Sequence, residues 1–412
     1  MDINEIRKDF PMLNNKIMQG KPLVYFDNAA TSLKPKCVIE AMDDYYYNFT
    51  SNVHRGDYDL AAKTDSIYEQ ARKNIATFIN GNENEIVFTS GTTQSLNLVA
   101  FGFALNYLHE NDEVILNEAE HASNVLPWYE VTKRTNSKIV FASLNEKGFV
   151  TLENMKKAIT DKTKIISIAH ISNVLGYENE IAHIIKYAHS KGIIVVVDGA
   201  QSVPHKKIDV KALDIDFLAF SSHKMCGPTG IGILYGKYDL LCKMDSLQYG
   251  GGMNSKFDAC CNVLYKKPPY KFEGGTPPIA EVIGFKKAIN YLSSIGMENI
   301  EQREIELKKY AIEKLKQLDN IILYNADSDS GIITFNIKNV FCQDAGSYFN
   351  YQGIAVRSGH HCAKLLPDFL HTIGTVRASL YFYNTFEEID RFVEACKHGG
   401  DFLDAIFKWS ND

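Results

Sequence analysis

Residues 193–230 read IIVVVDGAQSVPHKKIDVKALDIDFLAFSSHKMCGPTG. Two short apolar runs, Ile193–Val197 and Phe217–Phe220, are each bounded by polar and glycine-rich residues. That pattern predicts strands buried on both faces, as in a parallel sheet covered by helices. The first run delivers Asp198 at its C-terminal end, and the second delivers Ser221, His223 and Lys224. Open parallel sheets bind ligands outside the carboxyl ends of their strands. An acid there, with a lysine 26 residues later, suits a pyridine cofactor bearing an aldehyde. The acid keeps the ring nitrogen protonated and the lysine forms the Schiff base.

Working outward, the same strand, loop and helix order repeats, which predicts α/β crossovers with helices on the sheet faces. Glu85–Ser90 is a strand followed by Gly91-Thr92-Thr93-Gln94 and a helix. Free N–H groups of the first turn and the two threonine hydroxyls can hold a phosphate there, the alternative being a simple helix cap. Neither a Walker sequence nor GxGxxG is present. Strand Glu113–Leu116 leads to His121, and strand Thr163–Ala169 leads to Asn173. His121 can lie over a planar cofactor, the alternative being a surface or packing histidine, and Asn173 can donate to an oxygen of the ring or to a substrate carboxylate. The small, polar Asp27–Ser32 and the irregular Ser51–Gly56, with Arg55, read as loops. Helices are predicted at 2–8, 58–79 and 178–190, and residues 249–277 as a long irregular loop.

Two helical patterns, 279–294 and 298–319, lead to a second unit. It is predicted as strand Ile332–Ile337, helix 344–350, strand Ile354–Arg357, strand Val376–Tyr381, and helices at 386–396 and 401–408, a small α+β domain. Arg377 lies in an otherwise apolar or small-residue strand, so it needs an anion partner: a bidentate substrate carboxylate, or a protein acid. Gly359-His360-His361-Cys362 invites a metal reading, but the ligands are adjacent and no spaced partner cysteine follows. A nucleophilic Cys362, its thiol activated or its proton relayed by the histidines, is the better reading. Adjacent Cys260 and Cys261 likewise make a poor metal site. Pyridine cofactor, carboxylate grip and thiol together describe chemistry on an amino acid in which the thiol receives something.

Bulk properties agree. The 412 residues suffice for more than one domain, and 45% apolar with 23% charged is an ordinary globular mix. A net charge of −6 without a long basic run gives nothing for nucleic acid. The apolar runs are strand-length and the N-terminus has no signal-peptide pattern, so no membrane association is expected. The eight scattered cysteines, none in CxxC, suit a reducing compartment. The expected location is the cytoplasm.

The motifs YFDNAATSLKP, NVHRG, FTSGTTQSLNLVA, EHASNVLPW, HISNVLG, VDGAQS, FSSHKMCGPTGIGILYG, FEGGTP, GIAVRSGHHCA and VRASLYFYNT make the chain resemble pyridoxal-phosphate-dependent cysteine desulfurases of the SufS/Csd group, within the class V aminotransferases. The resemblance spans about Asp9 to Phe392 and implies a fold-type I α/β transferase: an N-terminal segment (1–20) packing with the small domain, a large cofactor domain (21–295) with a mostly parallel central sheet, and a small C-terminal α+β domain (296–412). It implies pyridoxal 5'-phosphate as cofactor, with Lys224 as its covalent attachment, Asp198 on the pyridine nitrogen and Gln201 on the phenolic oxygen. His121 would stack on the ring and take part in proton transfer. Thr93, Ser221 and His223 would be phosphate ligands, joined by Thr276 from the other subunit of a homodimer. Asn173 and Arg377 would hold the substrate carboxylate, with Arg357 nearby, and Cys362 would form the persulfide. The expected reaction turns L-cysteine into alanine and passes sulfur to an acceptor protein, for iron–sulfur cluster assembly.

Departures occur. Cys226 stands where the group has an aromatic, Ala122 where it has a second histidine, and FEGGTP replaces FEAGTP. Cys226 reads as a small packed thiol. Relatives that serve a SufU-like, zinc-containing acceptor carry histidines where Phe341 and Gln343 stand here, so SufU-like and SufE-like acceptors both stay open. Selenocysteine lyase and cysteine sulfinate desulfinase use nearly the same apparatus. An aminotransferase or epimerase would not need Cys362, and a non-enzymatic interaction protein would not need Lys224, Asp198 and His121.

Overall fold

A computed structural model describes residues 1–54 and 56–399. Arg55 and the helix predicted at 401–408 lie outside the described residues.

Seven strands form the large sheet: β1 (Ile86–Thr89), β2 (Glu113–Asn117), β3 (Lys138–Ala142), β4 (Thr163–Ala169), β5 (Ile194–Asp198), β6 (Phe217–Ser221) and β7 (Gly232–Gly236). Their order is β1-β7-β6-β5-β4-β2-β3. Six strands run one way, and β7 runs against both of its neighbours. The sheet is therefore mostly parallel, as the covered apolar runs require. Every residue of β6 and β7 is buried. Helix Ile181–His189 shows how the faces are covered: Ile181, Ile184, Ile185 and Ala188 are its buried residues, at helical spacing. Gly232, paired with Ser221 and Thr89, sits so close to the loop after β1 that a β-carbon there would strike the Gly91 backbone. The close approach brings the loops after β1 and β6 together.

A second core gathers around a four-stranded antiparallel sheet of β8 (Ile321–Leu323), β9 (Ile332–Ile337), β10 (Arg357–Gly359) and β11 (Thr375–Ser379), in the order β8-β9-β11-β10. Helix Phe386–Lys397 closes it; a capping box of Thr385 and Glu388 starts the helix, which buries Ile389, Phe392, Ala395 and Cys396. Val24 and Phe26 pack into this second core, with Val24–Tyr25 paired to Ile354–Ala355. Arg7 of helix Ile3–Lys8 donates to the Tyr383 carbonyl (2.7 Å) and to Glu388 (2.8 Å).

Two local expectations change, and one strand has no sequence signal. The predicted strand Ile354–Arg357 is two strands in different sheets, Ile354–Ala355 pairing with Val24–Tyr25 and β10 with β11. Residues 249–277 contain a hairpin, Asn254–Phe257 with Val263–Tyr265, that carries Cys260 and Cys261 in its exposed turn. Phe257 and Val263–Tyr265 are exposed, so no buried face imposes the two-residue alternation that marks a strand. Nor does the sequence pattern mark β3, a half-exposed edge strand.

Candidate active site

The loops after β1, β2, β4, β5 and β6 leave the same edge of the sheet and surround a cavity of about 200 Å³. It is lined by Thr92, Thr93, His121, Asn173, Asp198, Gln201, Ser221, His223, Lys224, Arg357 and Arg377, together with Ala29, Ala30, Ser123, Ala169, Ile171 and Ala200.

Asp198 ends β5, deeply buried, and its Oδ1 accepts the Ala200 N–H at 2.9 Å. Burial pushes its carboxyl up; the Ala200 N–H and Lys224 pull the other way. Burial brings the Lys224 amine down to about 8, opposed by Asp198 and reinforced by Arg377 and Arg357. His121 accepts the Ser123 N–H on Nδ1 at 3.1 Å. Its pKa is lowered to about 4 by burial and by Lys224, Arg357 and Arg377, so the neutral ring carries its proton on Nε2. Gln201 donates from Nε2 to the Ala29 carbonyl at 2.8 Å, while its buried Oε1 has no partner. Behind His121, Glu120 accepts the Ala169 N–H at 2.9 Å and Asn124 Nδ2 at 2.7 Å, and it also accepts from Asn117. These bonds pin the His121 loop to the end of β4.

After β1, Thr92 N–H donates to Ser221 Oγ at 2.8 Å, and the Thr92 and Ser221 hydroxyls meet at 2.7 Å. The Thr93 and Ser123 hydroxyls meet at 2.8 Å. Neither threonine caps the helix; Gly91 holds the N-cap position. The hydroxyls and the start of the helical run 92–107 form a donor cluster suited to a phosphate.

The third group comes from the second unit. Arg357 and Arg377 face each other across β10 and β11. Arg377 donates to the Asn173 carbonyl (2.8 Å) and to Asp27 Oδ1 (3.3 Å), and its buried Nε has no acceptor. Both alternatives from the sequence are thus present: a protein acid lies beside Arg377, and one N–H stays free for another anion. Arg357 donates to Cys362 Sγ at 3.3 Å. The half-buried Cys362 is not itself a lining residue; it adjoins the cavity through Arg357 and is tied to the His121 loop by the Ala122 N–H on its carbonyl (2.8 Å).

The histidines beside Cys362 direct their Nε2 atoms away from the thiol, while the buried His361 Nδ1 has no partner. His360 Nε2 pairs with the Ile373 carbonyl at 2.9 Å and His361 Nε2 with Thr375 Oγ1 at 2.9 Å. His361 and Cys362 stand at φ 51° and 62°, and the polar group at the thiol is Arg357. Thr276 lies outside the cavity and accepts from Asn52 at 3.2 Å. Cys226 is fully buried, its thiol pushed up to about 12. Asp27 and Ser123 join the site without having been singled out; their only sequence signal is membership of the quoted loops.

A pyridine cofactor with a phosphate and an aldehyde matches this donor set. Asp198 would take the ring nitrogen, Gln201 the ring oxygen, Lys224 the aldehyde, and the Thr92, Thr93 and Ser221 cluster the phosphate. The unpartnered Gln201 Oε1 and Arg377 Nε are buried polar atoms that a bound molecule would satisfy.

Comparison with known proteins agrees. Residues 24–392 match the family described as aminotransferase class-V. A probable cysteine desulfurase of Halalkalibacterium halodurans is 45% identical over 408 residues, covering 99% of this chain and all of that protein. The cysteine desulfurase CsdA of Escherichia coli superposes with a TM-score of 0.90 at 36% identity, covering 97% of this chain and 99% of that one. The apo cysteine desulfurase of Thermococcus onnurineus gives 0.91 at 37% identity, covering 96% and 97%.

Proposed function

The chain belongs to the aminotransferase class-V family, and on that premise we propose that it is a pyridoxal-phosphate-dependent cysteine desulfurase, converting L-cysteine to L-alanine and keeping the sulfur on Cys362. The observation that carries this is Cys362 Sγ, held 3.3 Å from Arg357, a residue lining the cavity that also presents Lys224, Asp198 and Arg377.

Bound in the cavity, pyridoxal 5'-phosphate supplies an electron sink that acidifies the α-proton of an amino acid and labilises its β-substituent. Asp198, buried and acceptor-only when ionised, holds the proton of the ring nitrogen. Arg377, with Asn173, orients the substrate carboxylate through the free Nε–H. Lys224, with its amine at about 8, is poised near neutrality to take the α-proton and return one. His121 stays neutral across the physiological range and donates from Nε2. Cys362 attacks the substrate sulfur as its thiolate. The S–S bond forms while the C–S bond breaks, the electron pair goes to the β-carbon, and that carbon is protonated to the methyl group of alanine.

The sulfur then passes to an acceptor protein and serves iron–sulfur cluster assembly. The enzyme acts as a homodimer, a reading that rests on the resemblance of the FEGGTP stretch, which carries Thr276. Eight free cysteines suit the cytoplasm. No described helix is long and apolar enough to cross a membrane.

The test is product analysis with L-cysteine and a reductant. The parent protein should release alanine and sulfide in equal amounts, and Cys362→Ala should lose both while keeping the cofactor's visible absorption. Pyruvate as product, or alanine formation untouched in Cys362→Ala, would overturn the assignment.

A further inference from the structure

Lys224 stands in a turn whose two flanks are held by one short segment, Thr31–Lys34. The carbonyl of His223, immediately before Lys224, receives the Thr31 hydroxyl (2.9 Å), the Ser32 N–H (3.0 Å) and hydroxyl (3.2 Å), and Lys34 Nζ (2.9 Å). On the other flank, the Cys226 N–H donates to Ser32 Oγ at 2.7 Å. Ser32 therefore bridges the turn, accepting from Cys226 and donating to His223. Cys226 is at φ 59°, a left-handed conformation that a residue with a side chain rarely adopts unless its surroundings hold it.

Lys34 closes this arrangement. Its ammonium has three donors and three acceptors: the His223 carbonyl, Thr31 Oγ1 at 3.1 Å and the Ser32 carbonyl. It forms no ion pair among the described residues, and burial brings it down to about 8. A half-buried cation without a carboxylate is expensive, and all of its compensation here comes from the segment and the turn it joins. Where the Lys224 amine can reach depends on where its Cα–Cβ bond is held, and the backbone at its root sets that.

We propose that Lys34 is a positioning residue for Lys224: with Thr31 and Ser32 it clamps the His223–Cys226 turn and sets the direction in which the Lys224 amine enters the cavity. The inference rests on Lys224 being the residue that carries the cofactor. It gives a fixed root to an amine that must reach the cofactor aldehyde in one step and the substrate α-proton in another.

The test uses Lys34→Met and Lys34→Arg in the full chain. Apo-protein is mixed with pyridoxal 5'-phosphate, samples are quenched with borohydride over time, and the modified peptide is identified by mass. Because displacing a reacting group by about 1 Å can cost on the order of 100-fold, Lys34→Met should slow attachment at Lys224 by roughly 10- to 100-fold. Its kcat should fall by a similar factor with KM for L-cysteine within about threefold of the parent. The melting temperature of the apo-protein should hold, and Lys34→Arg should recover most of the attachment rate. Attachment by Lys34→Met at the parent rate would overturn the clamp. So would equal losses of melting temperature and activity in both variants, which mark a merely structural residue. If the parent protein itself attaches the cofactor elsewhere than Lys224, the assignment of Lys224 falls and takes the clamp with it.

Discussion

The protonation of Lys224 in the apo-protein is the most direct check on the electrostatics of the cavity. Burial takes its amine from 10.5 down to about 8, against the pull of the Asp198 carboxylate. At pH 7 about one amine in ten is then neutral, compared with about one in three thousand for an unperturbed lysine, a gain of roughly 300-fold in the reactive form. Competitive acetylation with trace acetic anhydride, read peptide by peptide, measures this directly, because only the neutral amine reacts. Lys224 should show a midpoint near 8, while exposed lysines such as Lys36 and Lys133 serve as internal references. Asp198→Asn should lower the midpoint further by removing the anion that raises it, and Arg377→Met should raise it by removing a cation that lowers it. A midpoint at 10 or above, or an upward shift in Asp198→Asn, would refute the reasoning. The linked stability effect has a definite sign. Between about 8 and 10.5 the unfolded chain binds more protons than the folded one, so the Lys224 contribution to stability rises with pH across that window. Below it both states are protonated and the full penalty applies, about 3 kcal/mol. Lys224→Met should therefore stabilise apo-protein at pH 7, and the gain should shrink towards pH 10.

Other expectations follow from single contacts. Arg377→Met should lower kcat/KM for L-cysteine by roughly 10- to 100-fold, mostly through KM, since a hydrogen bond to a charged group is worth about 1.5–3 kcal/mol. An unchanged KM in steady-state kinetics would remove Arg377 from carboxylate binding. Arg72, 1% exposed, is paired with Glu273 through bonds of 2.7 and 2.8 Å, and Glu273 also accepts the Phe88 N–H at 3.0 Å. Breaking a buried pair from one side costs about 3–5 kcal/mol, so Arg72→Met should shift urea denaturation sharply. Arg72→Met with Glu273→Gln should recover part of the loss; additive losses would show that the two residues are not coupled.

How much of this was legible in the sequence depends on what each residue's neighbours are. Asp198, Ser221 and Lys224 could be located because their strands are buried on both faces and announce themselves as unbroken apolar runs. Thr92, Thr93, His121 and Asn173 followed by the same logic, each just past a strand end. The partners of Arg377 did not, since Asp27 is 350 residues away along the chain and no local pattern encodes that distance. For Cys362 the sequence and the structure differ in which residue stands beside the thiol. Sequence adjacency pointed to His360 and His361, whereas two successive left-handed residues turn the loop so that His361 bonds Thr375 and the thiol meets Arg357, a residue of β10. The hairpin at 254–265 was missed because neither face is buried.

The short stretch from Val24 to Lys34 explains why catalysis here needs both units. Val24 and Phe26 are anchored in the second core, where the Phe26 carbonyl accepts the Ser379 N–H at 2.7 Å. The next residues cross to the cavity. Asp27 meets Arg377 at the carboxylate end, the Ala29 N–H donates to Ser379 Oγ at 2.9 Å while its carbonyl accepts Gln201, and Thr31–Lys34 grip the turn of Lys224. The proposed substrate grip (Arg377), ring contact (Gln201) and cofactor lysine (Lys224) are thus tied to one strap that is rooted in the small sheet. Because Arg357 and Cys362 hang from that same sheet, any displacement of the second unit against the first moves the thiol and strains the strap together. On the proposed mechanism, sulfur transfer to Cys362 and the proton steps at Lys224 therefore share a single geometric condition, the seating of β10 and β11 over the edge of the large sheet.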